Sequence, residues 1–180
     1  KHKRVYQDET GVYSNMAPKR GRGRAGQELT RPKKRHGVKR TLHVFMDQNR
    51  VRYWELRDNN ANDTECKIVF KKAAKKLNEG EVLLVDRLGA SRRTRNPKSQ
   101  HWNPEIRKAV EARDAQYQFL PWYGKYWNPC ELLFNDFKTK FLPKVWRKYG
   151  PELSRRQLLY WTRKYMNDLD PSKVQAFFDK

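Results

Sequence analysis

The segment EVLLVD, residues 81–86, is a short continuous apolar run that ends on an acid. Four consecutive apolar residues between charged ones are typical of a strand buried on both faces, and such strands belong to parallel sheets. In open α/β sheets, ligands bind outside the carboxyl ends of the parallel strands. The sequence therefore predicts a buried parallel strand that presents Asp86 at the functional edge of a sheet.

The segments on either side alternate between strand and helix periodicity. Strand patterns cover residues 4–13, running into a turn at Thr10 and Gly11, and residues 38–46 and 50–56, which the turn-like residues 47–49 join as a hairpin. A helix capped by Asp63 or Thr64 is predicted over 63–78. The downstream elements are a helix over 103–114, a strand over 115–120, and helices over 129–141, 154–169 and 172–179. This order predicts one α/β domain over residues 1–180: a mixed sheet with an antiparallel meander first, flanking helices, and C-terminal helices over 151–180.

Charge is the most unusual property of the composition. The 180 residues include 41 Lys and Arg against 20 Asp and Glu, which gives a net charge of +21. Such a balance predicts a polyanionic partner, with nucleic acid favoured over an anionic membrane. The two Cys exclude a disulfide scaffold and a cysteine zinc site. No apolar run approaches the roughly 18–20 residues of a membrane span, and no secretory signal opens the chain.

The most basic segment is residues 19–40, with ten Lys or Arg and one acid. Its glycines and prolines interrupt any periodic pattern, which predicts a long loop. Ten cations with so few counter-charges favour phosphate contact, although a solvated surface loop is the alternative. The residues that we expect to contact nucleic acid here are Lys19, Arg20, Arg22, Arg24, Lys33, Lys34 and Arg35.

Three acids are candidates for chemistry because the predicted topology brings them towards one sheet edge. Asp8 lies on the first strand, Asp86 ends the buried strand, and Glu131 begins a helix. Carboxylates from separate elements suit two divalent cations roughly 3.5–4 Å apart, which promote phosphodiester cleavage. Oxygen ligands favour Mg²⁺ or Mn²⁺ over zinc. Taken singly, each acid has a simpler interpretation: Asp8 as a turn residue at the end of a strand, Asp86 as a helix cap, and Glu131 as a first-turn acid that the helix dipole favours.

The segment LPWYGKYWNPCELLFNDFK, residues 120–138, resembles the third-acid motif of mariner-type DDE transposases and related insertion-sequence enzymes. That motif reads LPPYSPDLNPIE and is followed by an aromatic residue and a Lys, so Glu131 and Lys138 fall on it without a gap. QDETGVYSNMAPKRG, around Asp8, resembles the first-acid segment, where DE-S/T-G precedes W-A-P-K-G. EVLLVDRLGAS resembles the second, a hydrophobic run that ends in DNA. The spacing also fits, with 77 residues between Asp8 and Asp86 and 44 between Asp86 and Glu131.

The resemblance implies an RNase H-like fold and a DNA strand cleavage and strand transfer activity. It implies that Asp8, Asp86 and Glu131 are the catalytic residues and the ligands of Mg²⁺ or Mn²⁺, with two ions expected. Arg87 departs from the pattern, because the family has Asn there. The N-terminal helix-turn-helix domains of such transposases are not expected within these 180 residues. Double-stranded DNA is the expected partner, in a homodimer or larger nucleoprotein assembly, and the nucleus is the expected compartment.

Further residues near the acids are candidates for contact with nucleic acid. The cations are Arg87, Arg92, Arg93, Lys125 and Lys138. The aromatic residues Trp122, Tyr123, Tyr126 and Trp127 are interleaved with Lys125, a pattern that fits either stacking on unpaired bases or a hydrophobic plug.

The leading hypothesis is a transposase catalytic domain from a transposable element. The alternative is a domesticated domain that binds nucleic acid or acts as a scaffold in a larger complex, with weak or no catalysis. Its support comes from the high charge, from Arg87 and from the missing recognition domains. A stand-alone metal-dependent nuclease is a third, weaker hypothesis.

Overall fold

A five-stranded mixed sheet forms the centre of the molecule. The computed structural model describes residues 3–14, 39–58, 62–86, 103–121, 124–150 and 153–179. The strands are β1 (Arg4–Tyr13), β2 (Lys39–Met46), β3 (Val51–Arg57), β4 (Val82–Val85) and β5 (Gln116–Phe119). Their order in the sheet is β3-β2-β1-β4-β5, with β1 to β3 antiparallel and β4 and β5 parallel to β1. The predicted meander and the predicted buried parallel strand are confirmed.

Strand β1 runs further without interruption than the sequence suggested. Thr10 and Gly11 pair with Leu42 and Thr41 of β2, so the turn predicted there is wrong. The antiparallel pairing of β1 with β2 runs from Tyr6 to Tyr13 and so continues through Gly11, because the hydrogen bonds of that ladder outweigh the turn preference of a single glycine. As a result, β1 is a single rigid strand that carries Asp8 at its centre.

The described residues include six α-helices that flank the sheet: α1 (Asp63–Ala74), α2 (Pro104–Glu111), α3 (Pro129–Asp136), α4 (Leu142–Tyr149), α5 (Arg155–Asn167) and α6 (Pro171–Gln175). A capping box of Ser154 and Gln157 starts α5, at the residue where the sequence predicts that this helix begins. The cap of α1 is neither Asp63 nor Thr64 but Asn62, whose side chain accepts a hydrogen bond from the Glu65 N–H at 2.9 Å. Asn62 is favoured because its amide oxygen reaches the third helical N–H, and Asp63 then contributes its charge to the first turn.

Helices α3 and α4 are joined without a break by a π-helical turn over Phe137–Phe141. The helix predicted to end at 141 therefore continues to Tyr149, where Gly150 ends it with a positive φ of 89°. The wider turn lets Phe137 and Phe141 stack on each other, with centroids 5.9 Å apart, while both rings contact Tyr165 of α5. Packing of aromatic rings is a physical reason for the irregular turn.

The buried apolar side chains of the described residues form two cores, on opposite faces of the sheet. Helices α1 and α2 cover one face, where Phe45 and Phe70 are central. Helices α3 to α6 cover the other face, where Val44, Phe134 and Phe137 are buried. The described residues contain no helix that is both long enough and apolar enough to span a membrane.

Candidate active site

The register of the parallel strands brings Asp8 and Asp86 towards each other. Gln7 of β1 is paired with Val85 of β4, and Asp86 directly follows that strand. Continuing the register by one residue sets Asp86 beside Asp8, and neighbouring strands lie about 4.8 Å apart. Asp8 is buried on the face of β1 that packs against α3, since its cross-strand partner Val44 belongs to the same core as the α3 side chains.

The N-terminus of α3 is fastened to β1 by Asn128. The Asn128 amide oxygen caps the helix by accepting from the Cys130 N–H at 3.2 Å. Its amide nitrogen donates to the Gln7 carbonyl at 3.2 Å and to Asp8 Oδ2 at 3.1 Å. Glu131 lies in the first turn of this helix and is exposed. One buried side chain thus holds the helix that carries Glu131 against the strand that carries Asp8.

The electrostatics around Asp8 are unfavourable for its ionised form. Burial raises the pKa of the Asp8 carboxyl well above its usual range, and the negative charges of Asp86, Glu9 and Glu131 raise it further. A hydrogen bond from the Glu9 N–H to Asp8 Oδ1, at 2.8 Å, only partly opposes this. Burial, together with the charges of Asp8 and Glu131, also raises the pKa of the Cys130 thiol. The site is therefore a region of negative potential, which is suited to a positively charged ligand.

Lys138 brings a cation close to this negative region. Its ammonium donates a hydrogen bond to the hydroxyl of Thr10, which lies two residues after Asp8 on the same face of β1. Burial lowers the pKa of Lys138, while the charges of Glu131 and Asp8 act in the opposite direction. Lys138 was predicted to contact nucleic acid, and it lies inside the carboxylate site rather than on an open surface.

The three acids fit a divalent cation in the chemistry of their donors. All are carboxylates, Asp8 lies in the field of both others, and among the described residues its hydrogen-bond donors are the neutral Glu9 N–H and Asn128 amide. Within the described part of the chain, however, no group of three or more His, Cys, Asp or Glu side chains is arranged closely enough to hold a metal ion. The sheet and α3 bring the acids to one region, where the charges of Asp86 and Glu131 act on Asp8. Their assignment as metal ligands stays a prediction.

Most of the cations predicted to contact nucleic acid lie outside the described residues. These are Lys19, Arg20, Arg22, Arg24, Lys33, Lys34, Arg35, Arg87, Arg92 and Arg93, and the side chain of Lys125 is also not described. Their roles remain predictions from the sequence.

Asn128 and Thr10 are the site residues that sequence reasoning missed. The Asn-Pro pair ahead of α3 is a signal for a helix cap, because Pro is favoured in the first turn after an Asn cap. No local pattern indicates that the same Asn also donates to a carboxylate 120 residues away.

Two aromatic side chains beside the site face solvent. A short 3-10 turn over Gly124–Trp127 leads into α3, and Tyr126 and Trp127 are both exposed there. Their exposure favours the stacking interpretation over the hydrophobic plug for this pair. Trp122 and Tyr123 lie outside the described residues.

A basic cavity of about 410 Å³ lies elsewhere on the molecule. Its lining includes Arg50, Lys75, Lys76 and Arg113. These residues come from the turn between β2 and β3 and from the ends of α1 and α2, at the edge of the sheet where β4 begins. The cavity is therefore separate from the carboxylates, which lie where β4 ends.

Comparison with known proteins identifies the family. A sequence model described as DDE superfamily endonuclease matches residues 3–150, which is most of the chain. No curated protein matches the sequence significantly.

Solved structures of Mos1 transposase share the fold. The Mos1 transposase paired-end complex with left transposon end superimposes with a TM-score of 0.71 at 19% identity, over 99% of this chain and 52% of that chain. The mariner Mos1 paired-end complex with Mg superimposes with a TM-score of 0.64 at 17% identity, over 99% of this chain and 52% of that chain. The catalytic domain of Mos1 mariner transposase superimposes with a TM-score of 0.59 at 16% identity, over 99% of this chain and 76% of that chain.

This chain thus spans about half the length of the transposase chains in the paired-end complexes. The mixed five-stranded sheet with its flanking helices matches the RNase H-like fold of the Mos1 catalytic domain, as the motif resemblance implied. The family match and the fold together show that the chain belongs to the DDE superfamily of endonucleases and is similar to the catalytic domains of the mariner-type transposases.

Proposed function

We propose that this chain is a transposase catalytic domain that cleaves and joins DNA strands with divalent cations held by Asp8, Asp86 and Glu131. The observation that carries the proposal is the environment of Asp8, a buried carboxylate whose pKa is raised by burial and by neighbouring acids. Stability alone does not favour such an arrangement, because buried charges are ordinarily paired. A cation bound among the three acids would remove the repulsion.

Mg²⁺ or Mn²⁺, most simply as a pair, would activate the attacking water or hydroxyl and stabilise the leaving oxygen of the phosphodiester. The protein's own contribution is to hold the acids. Asp8 is fixed on a central strand by the Glu9 N–H and by Asn128, and Glu131 is fixed by the helix that Asn128 caps. The ammonium of Lys138 is placed to attract the phosphate backbone towards the acids.

Double-stranded DNA is the proposed substrate. The net charge of +21 favours a polyanion, and the similar Mos1 structures include complexes with transposon-end DNA. The basic loop over residues 19–40 is proposed to contact the backbone. Neutralising Lys19, Arg20, Arg22 and Arg24 is expected to weaken DNA binding. The slope of log K against log salt concentration should also become shallower, by about 0.9 for each phosphate that the variant no longer neutralises. Fluorescence anisotropy over a range of salt concentrations measures this slope, and an unchanged slope would exclude the loop from the interface.

Cleavage is tested by nicking of labelled duplex DNA in Mn²⁺. The wild-type protein is expected to nick, and Glu131→Gln and Asp86→Asn are each expected to lose more than about a hundredfold in rate, since each removes a ligand charge. Asp168→Ala is the matched control, because this surface acid forms an ion pair with Lys164 on α5, away from the three acids. Equal nicking by all four proteins would show that the activity comes from elsewhere.

The alternative function is nucleic-acid binding or scaffolding in a larger complex, without catalysis. Two observations favour it: the described acids do not form a compact ligand group, and the ammonium of Lys138 lies near Asp8 and Glu131. This alternative predicts tight DNA binding with no nicking by the wild-type protein in Mn²⁺ or Mg²⁺. A stand-alone nuclease would instead nick DNA but transfer no strand.

The wider setting follows from the proposed activity. We propose a nuclear location, a single catalytic domain over residues 1–180, and action within a homodimer or larger nucleoprotein assembly. Sedimentation of the protein with and without duplex DNA tests the assembly.

A further inference from the structure

Tyr126 and Trp127 are the most exposed large hydrophobic side chains in the described part of the chain, at 75% and 72%. They are neighbours in sequence and lie on one turn next to the candidate active site. Exposed aromatic rings of this size are unfavourable in water, and adjacent ones mark a binding surface.

The turn that carries the two rings is held in place at both ends. At its start, the Gly124 N–H donates to the Pro121 carbonyl at 2.7 Å. A Cβ at Gly124 would lie 2.6 Å from the Cβ of Leu120, so only glycine allows this close approach. At its end, Trp127 is followed by Asn128, whose amide donates to Asp8 Oδ2. The backbone that carries the two rings is thus held close to Asp8.

The two positions also depart from the transposase motif. In the pattern LPPYSPDLNPIE, Asp and Leu precede the Asn-Pro pair, and here Tyr126 and Trp127 stand in their place. The surrounding matches, from Leu120 to Glu131, keep the turn in register. The exposed rings are therefore a property of this chain and not of the motif.

We propose that Tyr126 and Trp127 form a stacking platform for unpaired DNA bases next to the bond that is cleaved. Aromatic rings bind unpaired bases of any sequence because every base has a π face. Paired bases inside a duplex are already stacked, so the platform selects DNA that is frayed or single-stranded beside the acids. This inference rests on the proposed function, because it takes DNA to be the molecule at the site. The chain's net charge of +21 favours a nucleic acid over an apolar protein partner as the occupant.

The platform is tested by binding in EDTA, where no cleavage occurs. The probes are a labelled blunt duplex and the same duplex with a short single-stranded extension. The wild-type protein is expected to prefer the extended DNA, and the double variant Tyr126→Ala, Trp127→Leu is expected to bind it about tenfold more weakly. Its affinity for the blunt duplex should stay the same. The control is Tyr160→Ala, since this tyrosine on α5 is 58% exposed and outside the site.

A second readout is intrinsic fluorescence. The extended DNA is expected to quench tryptophan emission of the wild-type protein more than the blunt duplex does, and Trp127→Leu should remove that excess. Because both side chains face solvent, the variants are expected to fold, which circular dichroism checks.

The possible outcomes separate this proposal from the proposed function. If the double variant keeps the wild-type preference, or loses affinity for both DNAs by the same factor, the stacking platform is wrong. Mn²⁺-dependent nicking then still decides the proposed function. If the preference is lost in the variant but the wild-type protein does not nick, the platform is supported and the catalytic function is wrong. Binding of neither DNA by the wild-type protein would overturn both.

Discussion

Asp8 and Asp136 are both only 6% exposed and lie near opposite ends of α3, yet the charged groups around them differ in sign. Asp136, at the end of α3, accepts hydrogen bonds from Lys173 at 2.5 Å and from the Tyr165 hydroxyl at 2.8 Å. Burial alone would raise its pKa, but these donors outweigh burial and hold the pKa below its ordinary value. Asp8, near the start of α3, accepts hydrogen bonds within the described part of the chain from two neutral donors, the Glu9 N–H and the Asn128 amide, and burial and the neighbouring acids raise its pKa.

Under the proposed function, this is the difference between a carboxylate that stabilises the fold and a carboxylate that binds a ligand. A negative charge buried with a cation and a hydroxyl fastens α5 and α6 to α3 and contributes to stability. A negative charge buried with other negative charges opposes folding unless a positive ligand arrives. Positions of the second kind are found at functional sites, and Asp8 is of that kind.

The largest effect on stability is expected at the structural carboxylate. Asp136→Ala leaves the Lys173 ammonium and the Tyr165 hydroxyl without this acceptor, and we expect the free energy of unfolding to fall by about 2–4 kcal/mol. Urea denaturation measures the change. Asp168→Ala, which removes an acid from an exposed ion pair on α5, is the control and is expected to leave stability unchanged. An equal loss in the two variants would show that Asp136 has no special role.

Asn128 is expected to give the next largest effect, because it both caps α3 and donates to Asp8. Asn128→Ala should lower the free energy of unfolding by about 1–2 kcal/mol. Asn128→Ser retains a capping oxygen and should lose less, which separates the cap from the link to β1. Thermal unfolding of the two variants compares them, and identical losses would mean that the cap oxygen contributes nothing.

The pH dependence of stability should carry the signature of Asp136. Its folded-state pKa lies below the ordinary 3.8, so its ionised form stabilises the fold fully above that value. The stabilisation is lost as the pH falls from 3.8 through the folded-state pKa. The wild-type protein should therefore exceed Asp136→Asn in stability at neutral pH, and the difference should shrink below pH 3.8. Urea midpoints across this range test it, and a difference that grows on acidification would contradict the assignment.

The smallest effect is expected at Asp8. In the absence of metal, Asp8→Asn removes a buried charge that its neighbours repel, at the expense of one of the two hydrogen bonds that the carboxylate accepts. We expect the free energy of unfolding to change by less than about 1 kcal/mol, in contrast to Asp136→Ala. Urea denaturation in EDTA compares the two. A loss at Asp8 as large as that at Asp136 would remove the distinction between the two carboxylates.

Much of the fold was predictable because its signals are local. The apolar run over 82–85, the cap of α2 at Asn103 with Pro104 after it, and the capping box of α5 all depend on neighbouring residues. The π-helical turn was not predictable, because it depends on the packing of Phe137 and Phe141 against Tyr165 on a later helix.

The candidate site likewise combines features that the sequence predicts with contacts that it does not. The order of Asp8, Asp86 and Glu131 could be read from motifs, and the parallel register of β1 and β4 then brings the first two together. The hydrogen bonds from Asn128 to Asp8 and from Lys138 to Thr10 join residues more than a hundred positions apart. No sequence pattern specifies such contacts, because they arise only when α3 packs on the sheet.

The most direct test of the central claim is the effect of Mn²⁺ on thermal stability, measured at constant ionic strength and without DNA. If Asp8 belongs to a divalent-cation site, Mn²⁺ should raise the melting temperature of the wild-type protein. The corresponding gain in the free energy of unfolding is about 2.7 kcal/mol when the concentration of the ion is 100 times its Kd. Asp8→Asn should show little of this rise, while Asp168→Ala should show all of it. Equal responses of the wild-type protein and Asp8→Asn, or no response of either, would contradict the account.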